Sequence, residues 1–178
     1  MMDISSSDLL LLSLSNYYSK NDKIHILKYI VENNSKLSLR LIDWYVTNYC
    51  KHHNIVYILK KKDNNEYFNV YMNYRSQLKA FKKILFDPFR RRERIVFHYG
   101  KDKEISTTIG QLNFFRWAIE NDIIKHLQID IVNVEKDMFN RQKQTRSGKK
   151  EIKKNVFINK NSIKNMTTFN GNTLLSFK

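Results

Sequence analysis

Cysteine, proline and glycine are nearly missing: the 178 residues hold one, one and four of them. With Cys50 alone no internal disulfide can form, which excludes a disulfide-stapled scaffold and suits a reducing compartment. Four glycines leave little material for a phosphate-cradling loop. GxGxxG and the Walker loop do not occur, and neither do HExxH and GxSxG. Ser147-Gly148-Lys149-Lys150 shares a Gly-Lys pair with a Walker loop but lacks its first glycine and a preceding strand. Long apolar runs are scarce as well. Leu9 to Leu12 is far too short to cross a bilayer, and Met1-Met2-Asp3-Ile4 has no cationic start of a secretory signal. The expectation is a protein that is not secreted and has no membrane partner.

Acidic residues are also in short supply. Seventeen Asp and Glu stand against 32 Lys and Arg, for a net charge of +15. The excess is uneven: residues 75–103 carry 10 basic and 3 acidic side chains, and residues 141–178 carry 10 and 1. Residues 104–140 are mildly acidic, with 3 basic against 6 acidic side chains. A uniform bias would only aid solubility, whereas clustering points to a site for a polyanion.

What is present reads as one α+β domain over residues 19–140, between an arm (1–18) that Leu9, Leu12 and Tyr17 could anchor and a basic, disordered tail (141–178). Ser19 starts a first helix with Ile24, Leu27, Ile30 and Val31 on one face, and Ser38 caps a second with Leu39, Ile42, Val46 and Tyr49 inward. These two pair as a helical hairpin. Ile55–Leu59 and the alternating Phe68, Val70, Met72 and Tyr74 form a first β-hairpin. A helix over Ser76–Phe86 follows, stopped at Asp87-Pro88 because proline disfavours helix in the residue before it. Arg94–Tyr99 and Glu104–Ser106 form a second hairpin. Thr107 or Thr108 caps a buried helix over Ile109–Leu127, with Leu112, Phe115, Ile119 and Ile123 on its stripe. A last short helix or strand carries Ile131, Val134 and Met138. Beyond Asn140 low hydrophobicity with high charge cannot offset the entropy of ordering.

Phe86-Asp87-Pro88-Phe89-Arg90-Arg91-Arg92-Glu93-Arg94-Ile95 and Thr107-Thr108-Ile109-Gly110-Gln111-Leu112-Asn113-Phe114-Phe115-Arg116-Trp117-Ala118-Ile119 carry a resemblance. Over roughly residues 20–140 the chain resembles small uncharacterised proteins of nucleocytoplasmic large DNA viruses of the mimivirus-like kind. Where that pattern places a cysteine, this chain has Arg90, which argues against thiol chemistry there. The resemblance implies a viral protein of the host cytoplasm or nucleus, or of the virion, and brings no activity or functional residues with it.

The candidate site therefore rests on the residues. Arg90, Arg91, Arg92 and Arg94, with Arg75, Lys79, Lys82 and Lys83 on the preceding helix, would contact phosphates through bidentate guanidinium forks and release counterions. Phe86, Phe89, Phe97 and Tyr99 offer stacking faces. The competing reading makes the aromatics core and pairs the arginines with Glu93, Asp87 and the acidic helix. In the tail Arg141, Lys143, Arg146, Lys149, Lys150, Lys153 and Lys154 would bind phosphates without fixed geometry; the alternatives are a solubilising tail or a nuclear signal. Cys50-Lys51-His52-His53 lacks the paired spacing of a zinc site, so neither metal nor cofactor is expected, and Cys50 is read as core. Asp43 and Asp87, the candidates for perturbed carboxylates, are read as helix surface and turn. Gln111 and Asn113 need partners if their helix is buried, and backbone groups of the adjacent hairpins are the economical choice. Together these features favour a non-enzymatic protein that binds DNA or RNA without sequence preference. The alternative is a structural component whose basic tail binds an acidic protein.

Overall fold

The computed structural model describes residues 5–20, 23–32, 37–60, 64–100 and 103–144. Its first element corrects the expected arm. Ser5 and Asp8 form a capping box: the Ser5 N–H and hydroxyl donate to Asp8 Oδ2 at 3.2 and 2.7 Å, and the Asp8 N–H returns to Ser5 Oγ at 3.2 Å. From there α1 runs over Ser6–Lys20 and buries Leu14 and Tyr18, one turn apart, while Leu9 and Leu12 face solvent. Ser19 thus sits in the last turn of α1 rather than starting a helix, and the fold reaches back well before residue 19.

The second helix, α2, spans Ile24–Val31 and buries Ile24, Leu27 and Ile30. Ser38 caps α3 (Leu39–Trp44) as expected, its Oγ accepting the Leu41 N–H at 3.1 Å. The rod widens into a π-helical turn over Tyr45–Tyr49 and closes as α4 (Cys50–His52), burying Ile42, Tyr45, Val46, Tyr49 and Cys50. Two strands, β1 (Val56–Lys60) and β2 (Asn65–Asn69), pair antiparallel with Tyr57 opposite Phe68.

Here the alternation Phe68, Val70, Met72, Tyr74 misleads. The chain leaves the strand at Asn69, whose side chain accepts the Met72 N–H at 3.0 Å, and α5 runs over Val70–Phe81. Val70 and Tyr74 satisfy the i, i+4 spacing of a helix equally well. The helix then stops at Phe81, short of the expected Phe86. Lys82 adopts φ 57°, ψ 162° and a 3₁₀ turn follows at Lys83–Leu85. The second hairpin matches expectation: β3 (Ile95–Gly100) pairs with β4 (Lys103–Thr107), placing buried Phe97 opposite buried Ile105.

Thr108, the second of the two threonines, caps α6 (Ile109–Glu120) by accepting the Gln111 N–H at 3.1 Å. Leu112, Phe114, Phe115, Trp117 and Ala118 are all buried, so this helix forms the centre of the molecule. It does not continue to Leu127. Asp122 takes a left-handed conformation (φ 55°), which short polar side chains tolerate, and α7 restarts over Ile123–Ile129. A last helix, α8, covers residues 131–144.

Around α6, α1 packs along one side and against β3, and the 3₁₀ turn packs on another. The π-helical rod packs on α5. Phe86, Phe114, Trp117 and Tyr74 form an aromatic cluster with centroids 5.4–6.5 Å apart. The class is α+β, with two β-hairpins and a buried helix. Residues 1–138 form one compact unit. In the second, residues 139–178, the described part is the end of α8, so residues 141–144 are helical where a disordered tail was expected. No helix among the described residues is long and apolar enough to cross a membrane.

Candidate nucleic-acid interface

The segment linking α5 to β3 carries four of the nine arginines, and buried amides of α6 fix its shape. Gln111 donates to the Pro88 carbonyl at 2.8 Å and accepts from the Thr107 hydroxyl at 3.0 Å. Asn113 donates to the Leu85 carbonyl at 2.9 Å. Both amides are structural, and their partners lie chiefly in this linker rather than in the hairpins. Asp87 serves the turn: its carboxylate accepts the Phe89 N–H at 2.8 Å and its N–H meets the Gly110 carbonyl at 3.3 Å.

Of the proposed stacking aromatics, Phe86 and Phe97 belong to the core and cannot stack on a ligand. Phe89 is partly exposed, and Tyr99 is half-buried with its ring edge-on to His25 at 6.2 Å. The arginines divide. Arg90 pairs with Glu93 at 3.0 Å, and Arg94 donates to the Ser106 carbonyl at 3.2 Å. Arg91 and Arg92 are exposed, and among the described residues neither makes an ion pair or a side-chain hydrogen bond. Of the acidic pairings in the competing reading, Arg90–Glu93 is present; Arg94 turns to a backbone carbonyl instead, and Arg91 and Arg92 make neither kind of contact among the described residues.

Lys82, Arg90 and Arg92 line one cleft of about 720 Å³, which the first turns of α1 and α6 also border. Exposed Arg75 and Lys79, spaced i, i+4, lie on α5, the helix that ends one residue before Lys82. Lys83 belongs elsewhere. Its charge acts on Asp43, whose carboxyl is raised to about 6 by burial first and by the Asp87 carboxylate next, with Lys83 opposing. In the tail, Arg141 and Lys143 lie on α8, whereas Arg146, Lys149, Lys150, Lys153 and Lys154 lie outside the described residues.

Cys50 is fully buried, and burial pushes its thiol up to about 12, so it is an inert core residue. His52 and His53 are exposed, the His53 ring lying 4.3 Å from that of Tyr49, and among the described residues no three His, Cys, Asp or Glu side chains gather as metal ligands. A smaller hollow of about 220 Å³ between α2 and the α6–α7 junction is lined mainly by apolar residues such as Ile26, Tyr29 and Ile119, with the Lys125–Asp122 pair (2.6 Å) at its rim.

With that geometry in place, the chain can be set beside known proteins. A family of unknown function (DUF7197) matches residues 3–176. The chain belongs to that family. An uncharacterised protein of Acanthamoeba polyphaga mimivirus is 38% identical to it over 132 residues, covering 71% of this chain and 49% of the relative. The chain therefore spans about half the length of that relative. The viral resemblance read from the two linker and α6 motifs is supported by this match. No solved structure matches the chain. The signal that sequence reading missed is the cleft itself, because Ser5–Ser7 and Leu10 border it and were assigned to an arm.

Proposed function

We propose that the chain is a non-enzymatic viral protein that binds nucleic acid without sequence preference, in a viral factory, transcription complex or virion core. The observation that carries this reading is the convergence of Lys82, Arg90 and Arg92 on one cleft, next to Arg91. Arg91 and Arg92 have no partner within the described fold. Unmatched guanidinium groups on a surface are suited to phosphates, which they engage bidentately. Arg75 and Lys79 add two exposed cations on α5.

The test is binding of unrelated oligonucleotides over a range of salt by the parent chain and by Arg91→Glu/Arg92→Glu. Reversal should weaken all sequences about equally. It should also lower the slope of log affinity against log salt by about 0.9 per lost duplex contact, or about 0.7 for single strands. Stability should change by no more than about 1 kcal/mol, since neither arginine is held in the fold. A folded double variant with unchanged affinity and slope removes this surface as the binding site. A parent chain that binds no nucleic acid, yet co-purifies with one acidic protein, favours the structural-component alternative.

A further inference from the structure

We infer that the cleft between α1, the α5–β3 linker and the start of α6 accepts one nucleotide unit of a single strand, with its phosphate on the arginines and its base in the interior. This rests on the nucleic-acid reading above and adds the substrate class. The cleft's size, about 720 Å³, lies in the roughly 300–1,000 Å³ range of clefts that enclose small organic groups. Its lining combines two chemistries. Leu10, Phe81, Ile84, Ile95 and Ile109 supply apolar wall, and Lys82, Arg90 and Arg92 supply three cations against the one acid, Glu93. A purely electrostatic surface for duplex backbone has no use for apolar lining of this extent. A nucleotide unit has the same division, an uncharged flat base joined to an anionic phosphate.

The cations are held differently. Arg90 is anchored by Glu93 at 3.0 Å and is largely withdrawn from solvent, so its guanidinium is pre-oriented. Arg92 is left without a partner among the described residues and remains available for a phosphate. Lys82 occupies a backbone conformation, φ 57° and ψ 162°, that belongs to glycine and is strained for a lysine. A duplex keeps its bases stacked inside, so only a single strand presents a base to such a cleft without first being opened.

The experiment titrates fluorescein-labelled single-stranded oligo(dA) and the corresponding dA·dT duplex with the full chain, and competes each with AMP or with inorganic phosphate. The single strand should bind roughly tenfold more tightly than the duplex, the contribution of about one stacked base. AMP should displace the strand well before inorganic phosphate does. Ala80→Trp, which fills the cleft from an exposed position on α5, should bring single-strand affinity down to the duplex level and leave duplex binding and its salt slope intact. Ile84→Trp, at a second exposed lining position, repeats the test without changing the charge should the Ala80 variant fail to fold. Arg91→Glu, outside the cleft lining, should weaken strand and duplex alike.

Equal affinity for strand and duplex, with Ala80→Trp silent, overturns the cleft while leaving the cationic surface as a binding site. Displacement by inorganic phosphate as readily as by AMP overturns the base pocket. Failure of any strand to bind overturns both readings, and AMP binding in that case makes the cleft a site for free nucleotides rather than for a strand.

Discussion

The Tyr18 hydroxyl donates to the Leu112 carbonyl at 2.8 Å, joining α1 to the buried centre of α6 across 94 residues of sequence. Both residues are essentially inaccessible, and the Tyr18 ring also meets Phe97 edge-on at 5.8 Å. The first helix is therefore part of the core. Tyr18→Phe should cost about 0.5–1.5 kcal/mol, the usual net contribution of a hydrogen bond, since the ring packing survives. Deleting residues 1–18 removes Leu14 and Tyr18 together and should abolish cooperative unfolding, because each truncated core side chain alone costs about 2–5 kcal/mol. Thermal melts followed by circular dichroism measure both. A shortened chain that melts like the parent would show that α1 is dispensable.

Gln111 makes a different kind of claim on the fold. Its amide satisfies the Pro88 carbonyl and the Thr107 hydroxyl from a buried position. Gln111→Ala leaves both without that partner, and each unsatisfied buried polar group costs about 1–3 kcal/mol. Destabilisation on this scale in urea denaturation is expected. Nucleic-acid affinity should fall with it even where the variant remains folded, because the linker holding Arg90 and Arg92 loses an anchor. Gln111→Ala with parental stability would mean that water replaces the amide.

How far the sequence revealed this depends on the range of the interactions. Ser38 and Thr108 cap their helices through bonds to residues three positions on, so their signals are local and legible. The second hairpin is legible for the same reason. The Ser5–Asp8 capping box and the Asn69 cap are equally local, but they were masked by competing patterns: a serine-rich start reads as an arm, and Phe68–Tyr74 fits period two. Strand and helix spacings share positions 70 and 74, and only the tertiary environment of α6 and Phe86 decides between them. The cleft lies beyond such reading altogether. It joins residues 5–10 to residues 80–95 and 108–110, a proximity that no local spacing encodes.

Stability should respond to pH through two groups of opposite sign. Burial, reinforced by Asp87 and opposed by Lys83, raises the Asp43 carboxyl from 3.8 to about 6. The native state holds that proton more tightly than the unfolded chain, so the Asp43 contribution is complete below about pH 3.8 and is lost as the pH rises through about 6. His126 stacks on Tyr57 at 3.6 Å, and its imidazole is lowered from 6.5 by burial, with Asp122 opposing and Lys125 adding. Its contribution is present above pH 6.5 and is lost as the pH falls below it. Asp43→Asn should raise the melting temperature at neutral pH and remove the loss seen on raising the pH. His126→Phe keeps a ring on Tyr57 and should remove the loss on the acid side. Melts of parent and both variants from about pH 5 to 7.5 separate the two; an Asp43→Asn profile parallel to the parent's would refute the raised carboxyl.

Gly110 decides how closely α6 approaches the linker that carries the arginines. A Cβ at this position would lie 3.0 Å from the Ile84 carbonyl oxygen and 3.3 Å from the Asp87 nitrogen, both backbone atoms that cannot rotate away. Alanine in a helix normally stabilises relative to glycine by about 0.5–1 kcal/mol, by reducing the freedom of the unfolded chain. Here the steric term should win. The linker must retreat, lengthening the 3.3 Å bond from the Asp87 N–H to the Gly110 carbonyl and unseating the Leu85 and Pro88 carbonyls from Asn113 and Gln111. Overpacking of this kind costs roughly 1–3 kcal/mol, so Gly110→Ala should lower the urea midpoint despite the favourable propensity. A higher midpoint would mean that residues 84–87 yield freely, and a wall that yields would not hold Arg90 and Arg92 in a fixed relation across the cleft.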